Sequence, residues 1–417
     1  MDYETWLLEQ LLMKYEKSRA FTSGVFSKRI AVDVKKERVL QESMERTDEK
    51  DCFLSVLGAL KADGMVDFSW VKYEDGNLVE KIWLVPEEPA IRKCYRRLKL
   101  TPKKDRAREL GELIGRYLQE AEQDGAVCRF LREMLDELSV NQRIPRFFTE
   151  DGKLNEDVLR CLIHMEKNHD ELMERLLSSR LYEDSKYFER NVKAKVLSIL
   201  RYIKKKENED IPDDDELLRE MGIVRWPEIM EFTGKAAVVL EDGGVIDYST
   251  QKYGAYINSD TVKNAGEVLL EGIQKIIFIE NKANYIWYVS HEKAEDELAV
   301  YHGGCYSPVK GMWFTKLYEG SKKAGGQVSY VHWSDIDVGG FHIFSRLKRH
   351  IIPELEPYRM DWETLEAYRG RGMEIQSASY RTALQKMEQD DDFKEFWGVI
   401  HRMLDWGIRL EQEQIIV

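Results

Sequence analysis

With 417 residues the chain exceeds what one hydrophobic core usually organises, so two or three domains are expected. A hydrophobic content of 43% with 11% aromatics excludes wholesale disorder, and no apolar run approaches the ~18 residues of a membrane-crossing helix, so no membrane partner is expected. The net charge of −13 argues against a uniformly basic nucleic-acid binder, but the charge is not uniform. Residues 91–108, IRKCYRRLKLTPKKDRAR, hold nine Lys/Arg against one acid, whereas residues 207–216, ENEDIPDDDE, hold seven acids. Phosphate contacts depend on local basic surface, which makes Arg92, Arg96, Arg97, Lys103 and Lys104 candidate DNA contacts; a solvated helix face reads equally well from the same pattern. The five cysteines (Cys52, Cys94, Cys128, Cys161, Cys305) are scattered, odd in number and without CxxC spacing. That speaks for reduced thiols in a cytoplasmic protein and against a structural zinc site.

The N-terminal stretch, MDYETWLLEQLLMKYEK, is acidic and amphipathic, with Trp6, Leu7, Leu11, Leu12 and Tyr15 at helical spacing and no signal-peptide pattern. A second helix is expected over 48–64, ending on Gly64. Residues 65–85 hold two β-rich runs around EDGN, a hairpin signal. Helices followed by a hairpin predict a winged-helix-like module over 1–95. Residues 96–205 carry the 3.6-residue period throughout and are expected as a helical arm or connector. A linker and a small β element are expected over 206–270, starting with the acidic run and Pro212.

From 271 to 417 the pattern changes. KIIFI (275–279) reads as a strand buried on both faces, followed by a helix; ELAVYHGG (297–304), QVSYVHW (327–333) and EPYRMDWETL (356–365) each read as a strand leading onward to a helix. Strands alternating with helices predict a parallel sheet, and the overall expectation is a multidomain α+β chain. In such sheets functional groups collect beyond the carboxyl ends of the strands. Glu280 stands at that end of KIIFI, and Asp335 and Asp337 at that end of QVSYVHW, two residues apart and so on one face. Two carboxylates about 5 Å apart repel by roughly 3 kcal/mol at an effective dielectric of ~20, so such a cluster calls for protons, basic partners or a cation. A hard, oxygen-preferring ion such as Mg²⁺ suits it, and solvent-facing acids at a loop are the alternative. Gly339 and Gly340 allow close backbone approach, and a phosphate site at the following helix N-terminus is expected. Lys282 is either a phosphate-neutralising cation or part of a solvated helix face, and His302 and His332 are expected as hydrogen-bonded structural residues.

A Glu-Asn after an apolar strand, then DxDxxG some 55 residues later, is similar to the Toprim domain of topoisomerases and related nucleases. IFIENKANYIWYV, YHGG, YVHWSDIDVGGFHIFSRLKRHI, RMDWETL and GIRLEQEQI, in that order, resemble the JetD family, nuclease subunits of the Wadjet plasmid-defence system related to the topoisomerase VI A subunit. The resemblance covers about residues 230–417, with a weaker likeness in LLSSRLYEDSKYFERNVKAKVLSIL. It implies a Toprim catalytic domain in a Mg²⁺- or Mn²⁺-dependent endonuclease that cleaves closed circular double-stranded DNA, acts as a homodimer and works with an SMC-kleisin-type complex. Position by position, Glu280 matches the Toprim glutamate, Asp335 and Asp337 the paired aspartates, and Asp361 a further strand-end acid that would join the metal ligands. None of the twenty tyrosines matches the covalent tyrosine of topoisomerase VI, so hydrolysis is preferred over strand passage. A DNA-cleaving and rejoining subunit and a non-catalytic DNA-binding assembly subunit remain the alternatives.

Overall fold

A computed structural model describes residues 2–207 and 211–416. The chain forms two compact units, Met1–Glu120 with Cys128–Glu156, and Ala121–Val127 with Asp157–Val417.

In the first unit, the helix Tyr3–Lys17 is capped by Asp2, whose carboxylate accepts from the Thr5 amide at 3.1 Å, and it buries Leu7, Leu8, Leu11 and Leu12. The expected second helix is present as Thr47–Ala62, followed by Gly64 in the left-handed region at φ +70°. Three strands follow the expected hairpin and add one the sequence did not announce: β1 (Ala31–Asp33), β2 (Val66–Trp70) and β3 (Val79–Leu84), antiparallel in the order β1-β3-β2. The basic run becomes two helices, Glu88–Arg97 and Lys103–Leu118.

The second unit contributes, in chain order, β4 (Leu172–Met173), β5 (Ile223–Val224), β6 (Ile229–Thr233), β7 (Ala237–Leu240), β8 (Val245–Asp247), β9 (Ala255–Asn258) and β10 (Ala265–Leu269). These are followed by β11 (Lys275–Ile279), β12 (Glu297–Tyr301), β13 (Ser329–Trp333), β14 (Glu356–Pro357), β15 (Met373–Glu374) and β16 (Ile408–Arg409). A six-stranded sheet runs β14-β13-β11-β12-β6-β9. Strands β14, β13, β11 and β12 are parallel, with helices Lys282–His291, Pro308–Lys323 and Val338–His350 among their crossovers. Ile276, Ile277, Phe278 and Ile279 of β11 are fully buried, as expected of a central strand.

The strands expected over 271–417 do form a parallel sheet, and two strands from the 206–270 stretch, expected as a linker and small β element, extend it on one side. β6 runs antiparallel to β12, and β9 antiparallel to β6. The chain travels from β6 to β9 through the β7–β8 hairpin instead of a crossover helix, and a hairpin excursion returns it in the opposite direction. Strands β10, β7 and β8 make a separate antiparallel sheet, and the helix Pro308–Lys323 packs so closely on β10 that a Cβ at Gly320 would lie 2.2 Å from the Val268 carbonyl oxygen. Of the acidic run at 207–216, residues 208–210 lie outside the described residues. Its later part is ordered: Asp213 caps the helix Asp214–Glu220 by accepting from the Glu216 amide at 2.8 Å.

Candidate functional site

The sheet register brings the acid-bearing strand ends together. Ile279 of β11 pairs with Trp333 of β13 and Tyr301 of β12, so Glu280 and Ser334 leave the sheet at the same level. One further ladder bond extends past the strands, from the Glu280 amide to the Trp333 carbonyl at 2.9 Å. The chain beyond β13 stays extended because Ile336 exchanges two backbone hydrogen bonds with Leu410, at 2.9 and 3.2 Å. Asp335 and Asp337 flank that bridge and return to one side.

Each aspartate has a defined partner. Asp335 Oδ1 accepts from the Gln412 backbone amide at 2.6 Å. Asp337 is the N-cap of the helix Val338–His350, its Oδ1 accepting from the Gly340 amide at 2.8 Å, and its Oδ2 accepts from Arg409 Nη1 at 3.2 Å. Gly340 is required here by packing: an added Cβ would lie 2.3 Å from the Asp335 carbonyl oxygen and 2.7 Å from Ser334 Oγ. The expected phosphate cradle at this helix start is partly occupied, since the Val338 amide donates to Tyr380 Oη at 2.9 Å and the Gly340 amide to Asp337.

Glu280, Asp335 and Asp337 line one cavity of about 210 Å³ together with Glu216, Glu220, Gly304, Cys305, Gly339 and His342, among others. Burial pushes the Asp335 carboxyl up to about 7, the neighbouring Asp337 charge pushes the same way, the Gln412 amide opposes it, and Glu413 and Glu411 add to the rise. The cavity wall carries five carboxylates, and cations stand against it: Arg409 beside Asp337, Lys204, which pairs with Glu220 at 2.7 Å, and Arg346 close to Glu220 and Cys305.

Among the described residues no group of three or more His, Cys, Asp or Glu side chains is arranged to hold a metal ion. Carboxylate oxygens predominate among the donors, beside the Cys305 thiol and the His342 ring, and the rise of the Asp335 carboxyl, caused first by burial and then by the Asp337 charge, marks a place where a counter-charge would be favoured. That chemistry fits a hard divalent cation bound through one or two carboxylates with water completing its shell, the usual mode of Mg²⁺.

The other residues singled out from the sequence are placed elsewhere. Asp361 does not line the acidic cavity: it is exposed and caps the helix Trp362–Ala367, accepting from the Thr364 amide at 2.7 Å. Lys282 pairs with Glu231 of β6 and lies over the Tyr301 ring at 4.5 Å, so its charge is already partnered. His302 and His332 are fully buried, and burial pushes His302 down to about 3, leaving both neutral. In the basic helices, Arg92 makes a two-pronged pair with Asp105, Arg97 pairs with Glu4 and Lys103 with Glu16 at 2.7 Å. Lys104 lies over the Tyr15 and Phe21 rings, and Arg96 has no ion pair among the described residues. Sequence reasoning missed Gln412; for Arg409, in the GIRLEQEQ stretch that contributes to the resemblance, it offered no role beyond ion pairing, and Arg409 does pair with Asp337.

Residues 246–417 match the family model described as Wadjet protein JetD, C-terminal. Over 420 aligned residues, spanning all of this chain and 99% of the relative, the chain is 25% identical to Wadjet protein JetD of Bacillus cereus (strain Q1). No helix among the described residues is long and apolar enough to cross a membrane. The chain is therefore similar to Wadjet protein JetD along its whole length, and residues 246–417 are similar to that family's C-terminal region.

Proposed function

We propose that this chain is a divalent-metal-dependent DNA endonuclease with a Toprim-type catalytic domain, hydrolysing phosphodiester bonds of closed circular DNA as the nuclease of an SMC-type plasmid-defence complex. The observation that carries the reading is the convergence of Glu280, Asp335 and Asp337, from the carboxyl ends of two adjacent parallel strands, on one acid-lined cavity. The likeness to Wadjet JetD supports the Wadjet setting, and the proposal takes with it SMC-kleisin-type partners and a homodimeric state.

In this reading Asp335, with Asp337 or Glu280, holds Mg²⁺ or Mn²⁺. When bound, the ion polarises a phosphoryl oxygen and lowers the pKa of a water. The chain's own groups do the rest. Asp335, poised near neutrality, gives up its proton to become a ligand, and Arg409 limits the negative charge on Asp337. Glu280 serves as a ligand or as the proton acceptor for the attacking water. Gly339, half-buried on the cavity wall, leaves the backbone open to close approach by a nucleotide strand, whereas Gly340 is taken up by packing against Asp335 and Ser334. Of the basic residues, Arg96 is the one whose charge is best available to phosphate, while Arg92, Arg97, Lys103, Lys104 and Lys282 would have to exchange existing contacts.

The test is cleavage of supercoiled plasmid by the chain with its SMC-type partners, with and without Mn²⁺, comparing wild type with Asp335→Ala and Glu280→Ala. Metal-dependent linearisation lost in both variants is expected; cutting at the wild-type rate by either variant refutes the assignment. Protein left covalently attached to DNA ends would instead indicate a topoisomerase-like reaction. One observation favours a second reading, a non-catalytic DNA-binding subunit: Asp337 is already engaged by a helix amide and by Arg409. Salt-sensitive DNA binding with no cutting at any metal concentration would support it.

A further inference from the structure

We propose that residues 409–413 are a positioning clamp for the acidic site, with Gln412 as its central residue; the proposal rests on the metal-site reading above and adds residues that do not themselves line the cavity. The segment RLEQE makes contacts with both stretches of chain that bear the acids. On the β13 side, Leu410 forms the two-bond bridge to Ile336, Arg409 reaches Asp337, and the Gln412 amide donates to Asp335. On the β11 side, the Gln412 side-chain oxygen accepts from the Asn281 amide at 3.1 Å, next to Glu280, and the Gln412 carbonyl accepts from Asn284 Nδ2 at 2.8 Å. Asn281 Nδ2 also donates to Glu413.

Gln412 is fully buried, so these bonds are made away from competing water, and a long polar side chain held there is costly unless its position matters. Its Nε2 donor has no partner. A residue selected only to fill space at this point would be better apolar, whereas one that must hold the Asn281 amide and aim its own N–H at Asp335 needs this polar connection. The physical consequence is preorganisation: Gln412 fixes the separation of Glu280 from Asp335, a distance the sheet alone controls only up to the last ladder bond at Glu280. Asn284, also fully buried, holds the Gln412 carbonyl from the helix Lys282–His291, so the β11 side of the clamp can be loosened by two independent substitutions.

The experiment is a Mn²⁺ titration of the purified full chain followed by the electron paramagnetic resonance signal of free Mn²⁺, a readout independent of DNA cleavage. Gln412→Met keeps the side-chain length but removes the acceptor for Asn281, and Asn284→Leu removes the donor to the Gln412 carbonyl. Both are expected to raise the Mn²⁺ concentration for half-saturation by roughly 10- to 100-fold, the range typical of residues that orient metal ligands. Met403→Ala, a cavity on the buried face of the helix Trp397–Trp406, serves as a control for general destabilisation and is expected to move half-saturation by less than about twofold. The clamp is overturned if both clamp variants bind Mn²⁺ as the wild type does, or if Met403→Ala weakens binding as much as they do. In those cases wild-type binding stands and the nuclease reading survives; if the wild type itself leaves the Mn²⁺ signal unchanged, the metal reading fails and the clamp with it.

Discussion

Lowering the pH from 8 to 6 should convert metal binding at this site into a proton-releasing reaction. Asp335 is pushed up to about 7 by burial and by the charge of Asp337. A carboxyl with that pKa is protonated in roughly 90% of molecules at pH 6 and roughly 10% at pH 8, and a cation can use it only as the carboxylate. Binding of Mn²⁺ at pH 6 should therefore release about 0.9 proton per ion from Asp335 and at pH 8 about 0.1, with affinity weaker at pH 6 by roughly tenfold, or about 1.4 kcal/mol. Isothermal titration calorimetry in two buffers of different ionisation enthalpy reads the released proton directly. Buffer-independent heat at pH 6, or an affinity flat from pH 6 to 8, would refute the reasoning. The same proton governs stability without metal. The folded carboxyl is raised above its ordinary 3.8, so its contribution is complete below that pH and is lost as pH rises through about 7. In EDTA, the fall in melting temperature from pH 5 to 8 should accordingly be smaller in Asp335→Asn, which has no proton to lose.

Two further substitutions separate site from scaffold. Gly340→Ala places a methyl 2.3 Å from the Asp335 carbonyl oxygen, so the turn holding both aspartates must shift; plasmid cleavage should be lost together with a clear drop in melting temperature, and unchanged activity would contradict the close approach described. Asp361→Ala removes only a helix cap, so it should cost about 1 kcal/mol of stability and leave metal-dependent cleavage intact, measured by thermal melting and the plasmid assay.

Much of the candidate site was legible because its signals are local. After Lys275, KIIFI is apolar at every position, which fits the central strand it becomes, and an acid immediately after such a strand falls at the sheet's carboxyl edge whatever the neighbours are. The spacing of Asp335 and Asp337 puts them on one side of an extended chain in the same way. Asp361 shows the limit of this reasoning: an acid after a short apolar run also has the pattern of a helix cap, and that is the role it takes. The basic run shows another. Its charges could be counted in the sequence, but Glu4, Glu16 and Asp105 neutralise several of them across intervals that no local pattern records.

By itself the sequence determined what depends on near neighbours: the α+β alternation, the strand ends that carry carboxylates, the amphipathic first helix and the hairpin at 65–85. Only the tertiary structure decided that β6 and β9 close the sheet antiparallel, that five carboxylates face one cavity, and that Gln412 spans from Asn281 to Asp335. The reason is distance along the chain. Backbone period and turn chemistry act over a few residues, whereas a contact between residues 412 and 281 exists only once the sheet has formed and its register has been set.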